Sequence, residues 1–191
     1  MEPCLIRAED IACRRGDRLL FRGLSLALGP GQALQVTGAN GLGKSSLIRI
    51  LAGLLRPYAG TVERQGATGL VDERPALDEH QPLGRALGFW GGIDGVAAVP
   101  DDLGLTTLLD VPVRFLSTGQ RKRAALARLV GQQASIWLLD EPLNGLDRDA
   151  VATVEALVAG HCAGGGIAVI ASHQPFTLPG KAVLPLADFA A

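Results

Sequence analysis

The stretch GANGLGKSS, Gly38 to Ser46, carries the most specific chemistry in the chain. Gly38, Gly43, Lys44 and Ser45 fit the pattern G-x-x-x-x-G-K-[ST]. The loop follows an apolar run, ALQV, and opens a segment with helical apolar spacing. In such a loop the backbone N–H groups of Gly38, Ala39, Asn40, Gly41, Leu42, Gly43 and the residues on to Ser46 turn toward one point and form a nest for an anion. The dipole of the helix that begins there adds positive potential. Lys44 is placed to reach β- and γ-phosphates, and the Ser45 hydroxyl is offered to Mg²⁺. A glycine-rich turn with a chance lysine accounts poorly for the strand before and the helix after. The expected ligands are a nucleoside triphosphate and Mg²⁺, and the motif alone does not say what their energy drives.

Two further stretches supply the rest of a hydrolytic site. IWLLDEP, Ile136 to Pro142, reads as a buried strand ending in two acids. Asp140 is placed to hold Mg²⁺ through water, and Glu141, one residue on, is the candidate general base. His173 ends IAVIASH, a second buried run that would deliver it to the same sheet edge. There it could touch the γ-phosphate or orient the attacking water.

Glycine (25) and proline (11) cut the chain into the short elements that must hold these groups. ALQVTG, TVERQG, TGLVD, ASIWLLD and IAVIAS read as strands. KSSLIRILAGLL has helical spacing at Leu47, Ile48, Leu51 and Leu54, and AVATVEALVAGHC is a helix ended by GGG. Strands alternating with helices predict an α/β domain around a mostly parallel sheet. Residues 72 to 112 are acidic, proline-broken and weakly patterned, and look like an inserted, mostly helical region.

The stretch FLSTGQRKRAALARLV, Phe115 to Val130, takes its meaning from these sites. LSTGQ resembles the LSGGQ signature of ATP-binding-cassette (ABC) ATPases, with Thr118 in place of the first glycine. The order also matches that family: phosphate loop, signature, LLDEP, a D-loop-like NGLD (Asn144 to Asp147), then the switch histidine. The resemblance covers nearly the whole chain. It implies a P-loop NTPase fold with a mostly parallel central sheet, an N-terminal antiparallel β-subdomain and a short inserted α-helical subdomain. The chain is then a single nucleotide-binding domain over 1–191, with an insert at approximately 72–130 carrying the signature. It also implies a head-to-tail dimer with a second copy, in which Ser117, Gly119 and Gln120 cap the ATP held by the partner's phosphate loop. Arg121, Lys122 and Arg123 are expected on the exposed side of that helix.

Within the family, C-x-R-G (Cys13, Arg15, Gly16), Leu20, Phe21, Leu24, Ser25 and His173-Gln174-Pro175 resemble the CcmA-type ATP-binding subunits of cytochrome c biogenesis (haem-export) complexes. This implies a peripheral ATPase on the cytoplasmic side of the inner membrane, partnered by a multi-spanning subunit. Two departures stand out. Relatives commonly stack an aromatic residue on adenine near the position of Arg15, whose guanidinium can instead lie flat on the base by a cation–π contact. Where a glutamine is usual after TGLVD, Glu73 or Arg74 stands, with Gln81 further on. Two alternatives stay open: a non-transport ABC protein that switches a protein partner, and a cassette that binds nucleotide but barely hydrolyses it.

Composition sets outer bounds. The chain has 191 residues, 48% hydrophobic and 19% charged, enough for one domain with a sizeable core. A net charge of −1 argues against a nucleic-acid partner. The three cysteines, Cys4, Cys13 and Cys162, form no CxxC pair and are expected to be buried thiols. The first residues carry acids and no long apolar run, so no signal peptide is expected. No apolar run reaches the roughly 20 residues of a spanning helix.

Overall fold

A computed structural model of the protein describes residues 4–95 and 103–191. The chain opens with a hairpin of β1 (Leu5–Arg15) and β2 (Arg18–Leu28), with Arg15 opposite Arg18. The two-residue turn between them puts Gly16 at φ +56°, a conformation that costs glycine little. β3 (Ala33–Thr37) and α1 (Lys44–Leu51) follow, and then β4 (Ala59–Gln65), which pairs with β1 to complete a three-stranded antiparallel sheet. β5 (Thr68–Val71), α2 (Leu83–Asp94), α3 (Thr118–Gly131), β6 (Ile136–Asp140), α4 (Arg148–Ala163), β7 (Ile167–Ala171) and β8 (Ala182–Pro185) complete the described elements. The second sheet has five strands in the order β5-β6-β7-β3-β8, every pair parallel.

The five residues of β6 and the five of β7 are all buried, as their continuous apolar runs predict. Alternation along each strand divides them between two cores. Ile136, Leu138, Ile167 and Val169 face α1 and the antiparallel sheet, whereas Trp137, Leu139, Ala168 and Ile170 face the core of α2, α3 and α4. The fold is α/β, with a parallel central sheet and an antiparallel N-terminal sheet.

Local expectations need three corrections. Leu54 does not lie on the buried face of α1: the helix stops at Leu51, Gly53 turns the chain at φ +78°, and Leu54 is 69% exposed. The region 72–112 holds one α-helix, α2, and the short 3₁₀ turn Thr106–Leu108 among its described residues, so it is less helical than expected. The basic run on α3 is not a solvated face. Arg121 and Arg123 donate to the carbonyls of Leu116 and Leu103, and Lys122 is buried.

Candidate active site

Strand order explains why distant motifs converge. β6, β7 and β3 are consecutive neighbours, and all three run the same way. Their C-terminal ends therefore deliver Asp140 and Glu141 (β6), Ser172 and His173 (β7) and the phosphate loop (β3) to one edge, where ligands sit in such sheets. A cleft of about 390 Å³ opens there. It is lined by Leu20, Asn40, Gly41, Gly43, Lys44, Ser45, Ser46, Glu73, Glu141, Asn144 and His173.

The loop needs its glycines. Gly38, Gly41 and Gly43 all have positive φ, at 146°, 83° and 108°. A Cβ on Gly43 would also press on Leu20 and Phe21, at 3.2 Å from each. Lys44 begins α1 and is 6% exposed. Its ammonium donates to the carbonyl of Gly38 at 2.9 Å and stands 3.6 Å from Oε1 of Glu141. The Cys13 thiol is buried, and burial raises its pKa above the ordinary thiol value, with Ser46 opposing the shift.

Glu141 is held on both sides. Its backbone takes φ +46°, unusual for a residue with a Cβ, and its N–H donates to the Ala171 carbonyl at 2.8 Å. Its Oε2 lies 2.8 Å from Nδ1 of His173, so the Nδ1–H tautomer of that ring donates to it. This contact places Glu141, His173 and Lys44 in one connected set. Next after His173, beyond the end of β7, Gln174 donates to Asn144 at 3.5 Å and thereby joins the D-loop-like turn to the histidine.

Asp140 is 4% exposed, and burial raises its pKa while the bond from Ser45 lowers it. Its Oδ1 is buried with no hydrogen-bond partner. An orphaned carboxylate oxygen beside a hydroxyl is a pair of hard oxygen donors, which fits Mg²⁺. Among the described residues no cluster of three or more His, Cys, Asp or Glu side chains could hold a metal, so a cation here would need substrate or water to complete its shell.

Ser117, Gly119 and Gln120 do not line this cleft. They form the N-terminus of α3, where Ser117 Oγ accepts from the Gln120 N–H and the Gln120 side chain accepts from the Ser117 N–H, a capping box. The buried Gly119 lies against the turn after β6, where a Cβ would collide with the carbonyl oxygen of Gly145. Gly145 in turn has φ +78°, and a Cβ there would meet Thr118 Cγ2 at 3.2 Å. Arg15 is exposed at the end of β1 and is not among the lining residues. Of the three candidates for the missing glutamine, Glu73 lines the cleft, whereas Arg74 and Gln81 line grooves against α3 and α2.

Sequence reasoning missed Asn144 as a lining residue and Lys122 as a buried one. The signal for Lys122 was present, because positions 122, 126 and 129 share one helical face and all three are buried. Its ammonium donates to the carbonyls of Asp72 and Asp140.

Comparison with known proteins bears on the family and the fold. The ABC transporter family model matches residues 21–144. A protein of Novosphingobium aromaticivorans described as a cytochrome c biogenesis ATP-binding export protein, CcmA, is 59% identical over 99% of each chain. One of the same description from Sphingopyxis alaskensis is 53% identical over 92% of this chain and 93% of its own. A solved structure from Pyrococcus furiosus, described as the ATP-binding protein of an ABC transporter, superposes with a TM-score of 0.83 over 98% of this chain and 100% of its own. At 19% identity that likeness concerns the fold.

Proposed function

This chain belongs to the ABC transporter family, and from that premise we propose that it is the ATP-hydrolysing subunit of the haem-export complex of cytochrome c maturation. The observation that carries the enzymatic part is the convergence of Lys44, Ser45, Asp140, Glu141 and His173 on one sheet edge. Lys44 and the loop N–H groups bind the polyphosphate. Ser45 and Asp140 would hold Mg²⁺, which when bound would neutralise charge on the phosphate oxygens. Glu141 takes the proton of the attacking water, and His173 fixes the carboxylate that does so.

The surfaces support a reading of its partners. Ser117 is exposed at the tip of a capped helix and outside its own cleft, which suits a contact with the nucleotide of a second copy placed head to tail. The segment 72–130 acts as the inserted subdomain that carries this tip. On it, Phe89 and Ile93 of α2 are 63% and 61% exposed beside a groove lined by Ala86 and Trp90, an apolar face that suits a membrane subunit. No helix among the described residues is long and apolar enough to cross a membrane, so attachment to the membrane would come through that subunit. Arg15, exposed at the end of β1, would stack on the nucleotide base.

The test is complementation in cells deleted for this chain, read as covalent haem in c-type cytochromes. Wild type restores it, whereas Lys44→Ala, which removes the ammonium that faces the phosphates, does not. Normal cytochrome c in the deletion strain refutes the haem-export role, and normal ATP turnover in purified Lys44→Ala refutes the site.

A further inference from the structure

Lys122 lies in the first turns of α3 and is 7% exposed. An ammonium so removed from water needs polar partners. It donates to the carbonyl of Asp72 at 3.3 Å and to that of Asp140 at 3.4 Å. Asp140 ends β6 and Asp72 directly follows β5, its neighbour, so one ammonium bridges two adjacent strand ends. Burial lowers its pKa, and the carboxylates of Asp140, Asp72, Glu73 and Glu141 only partly oppose that shift. The carboxylate of Asp72 meanwhile lies 3.5 Å from Arg49 of α1, the helix that begins at Lys44. Arg121 and Arg123, on either side, bond to carbonyls at Leu116 and Leu103 instead. Lys122 alone of the three basic residues reaches across to the sheet.

We propose that Lys122 is a positioning residue of the ATPase site: it ties the signature end of α3 to the strand ends that carry Asp140 and Glu73, so that the placement of α3 is felt at the reacting groups. The inference rests on the reading of this cleft as an ATPase site. It gives a single side chain a specific duty: a head group that holds the carbonyls of Asp72 and Asp140 fixes the spacing of two neighbouring strand ends, and with it the carboxylate of Asp140 and that of Glu73, the residue after Asp72. Both hydrogen bonds of Lys122 go to the strand ends and neither to the phosphate loop, so nucleotide affinity and turnover should separate.

The experiment uses the purified full chain and reads ATP affinity, kcat and thermal unfolding in Lys122→Met, Lys122→Gln and Lys122→Arg. Lys122→Met, of similar shape without the charge, should keep ATP affinity within about threefold and lose about tenfold or more of kcat, because misplacement of reacting groups costs rate rather than ground-state binding. Lys122→Arg should recover at least about a third of the wild-type rate by holding both carbonyls with a charged donor. If Lys122→Met does not fold, Lys122→Gln carries the same expectation with a polar side chain in its place. Wild-type kcat in Lys122→Met or Lys122→Gln overturns the proposal. Parallel loss of affinity, rate and melting temperature in all three variants also overturns it, because that is the pattern of a packing residue. Absence of ATP binding and turnover in the wild type overturns the ATPase reading, and the role of Lys122 falls with it.

Discussion

Glu141→Gln should do two opposite things to this enzyme. In the structure its Oε1 stands 3.6 Å from the Lys44 ammonium, with the two side chains 13% and 6% exposed, so water screens the pair little. At an effective dielectric constant of about 20 such charges attract by about 4–5 kcal/mol, before the cost of their desolvation. Bonds to charged groups leave a net of about 1.5–3 kcal/mol once water is counted, and the long separation puts this pair at or below the lower end. A γ-phosphate must compete with Glu141 for the same ammonium, and it is repelled by the carboxylate itself. Neutralising Glu141 removes both obstacles, so ATP affinity should rise by about 1–1.5 kcal/mol, or about 5- to 12-fold. The same change deletes the base, and kcat should fall by about 10²- to 10⁴-fold. Displacement of a fluorescent nucleotide measures the first effect and single-turnover hydrolysis the second. Weaker ATP binding in Glu141→Gln would refute the competition for Lys44, and turnover within about threefold of wild type would refute the base.

Four other outcomes follow from the geometry. His173→Ala should retain ATP binding and lose most of kcat, since the ring bonds to Glu141 at 2.8 Å; unchanged steady-state turnover would make the histidine a bystander. Gly119→Ala should lower stability in urea melts by about 1–3 kcal/mol, because the added Cβ meets the Gly145 carbonyl oxygen. Gly119→Asp is for the same reason a poor probe of a contact across a dimer. Ser117→Arg is the cleaner one, and its monomer should bind ATP within about threefold of wild type; a loss as deep as in Lys44→Ala refutes a role in trans. His161 is 8% exposed, stacks on Trp137 with ring centroids 3.9 Å apart, and has its pKa lowered by burial below the ordinary 6.5. The unfolded chain therefore binds the proton more readily, so stability should decline as pH falls from about 6.5, by up to about 1.4 kcal/mol per unit. Urea melts followed by Trp fluorescence check this, and His161→Phe should remove that part of the acid sensitivity.

The chemistry-bearing stretches were legible because phosphate binding restricts residue type and spacing together: a loop that turns its N–H groups inward needs Gly38, Gly41 and Gly43. β6 and β7 were legible as apolar runs because they are buried on both faces. β8 was not, since AVLP is four residues long and mostly exposed at the sheet edge, and so carries no pattern. The contact between Gly119 and Gly145 joins backbones far apart in the chain, and nothing local to either position announces it. α2 was blurred by its glycines and by an apolar residue, Phe89, turned to solvent. Lys122 was misplaced because a basic run was read by composition and not by its position on the helical face.

The sharing of β6 and β7 between two cores bears on how this molecule fails when heated. Neither core can loosen alone, because each is walled by the alternate side chains of the same two strands. The ends of those strands hold Asp140, Glu141 and His173 in register, with Glu141 bonded to Ala171 across the pair. Partial melting that spared one half and kept a working catalyst has no structural route. Loss of activity and loss of structure should accordingly trace one cooperative curve, and the amides of β6 and β7 should be among the last to exchange with solvent.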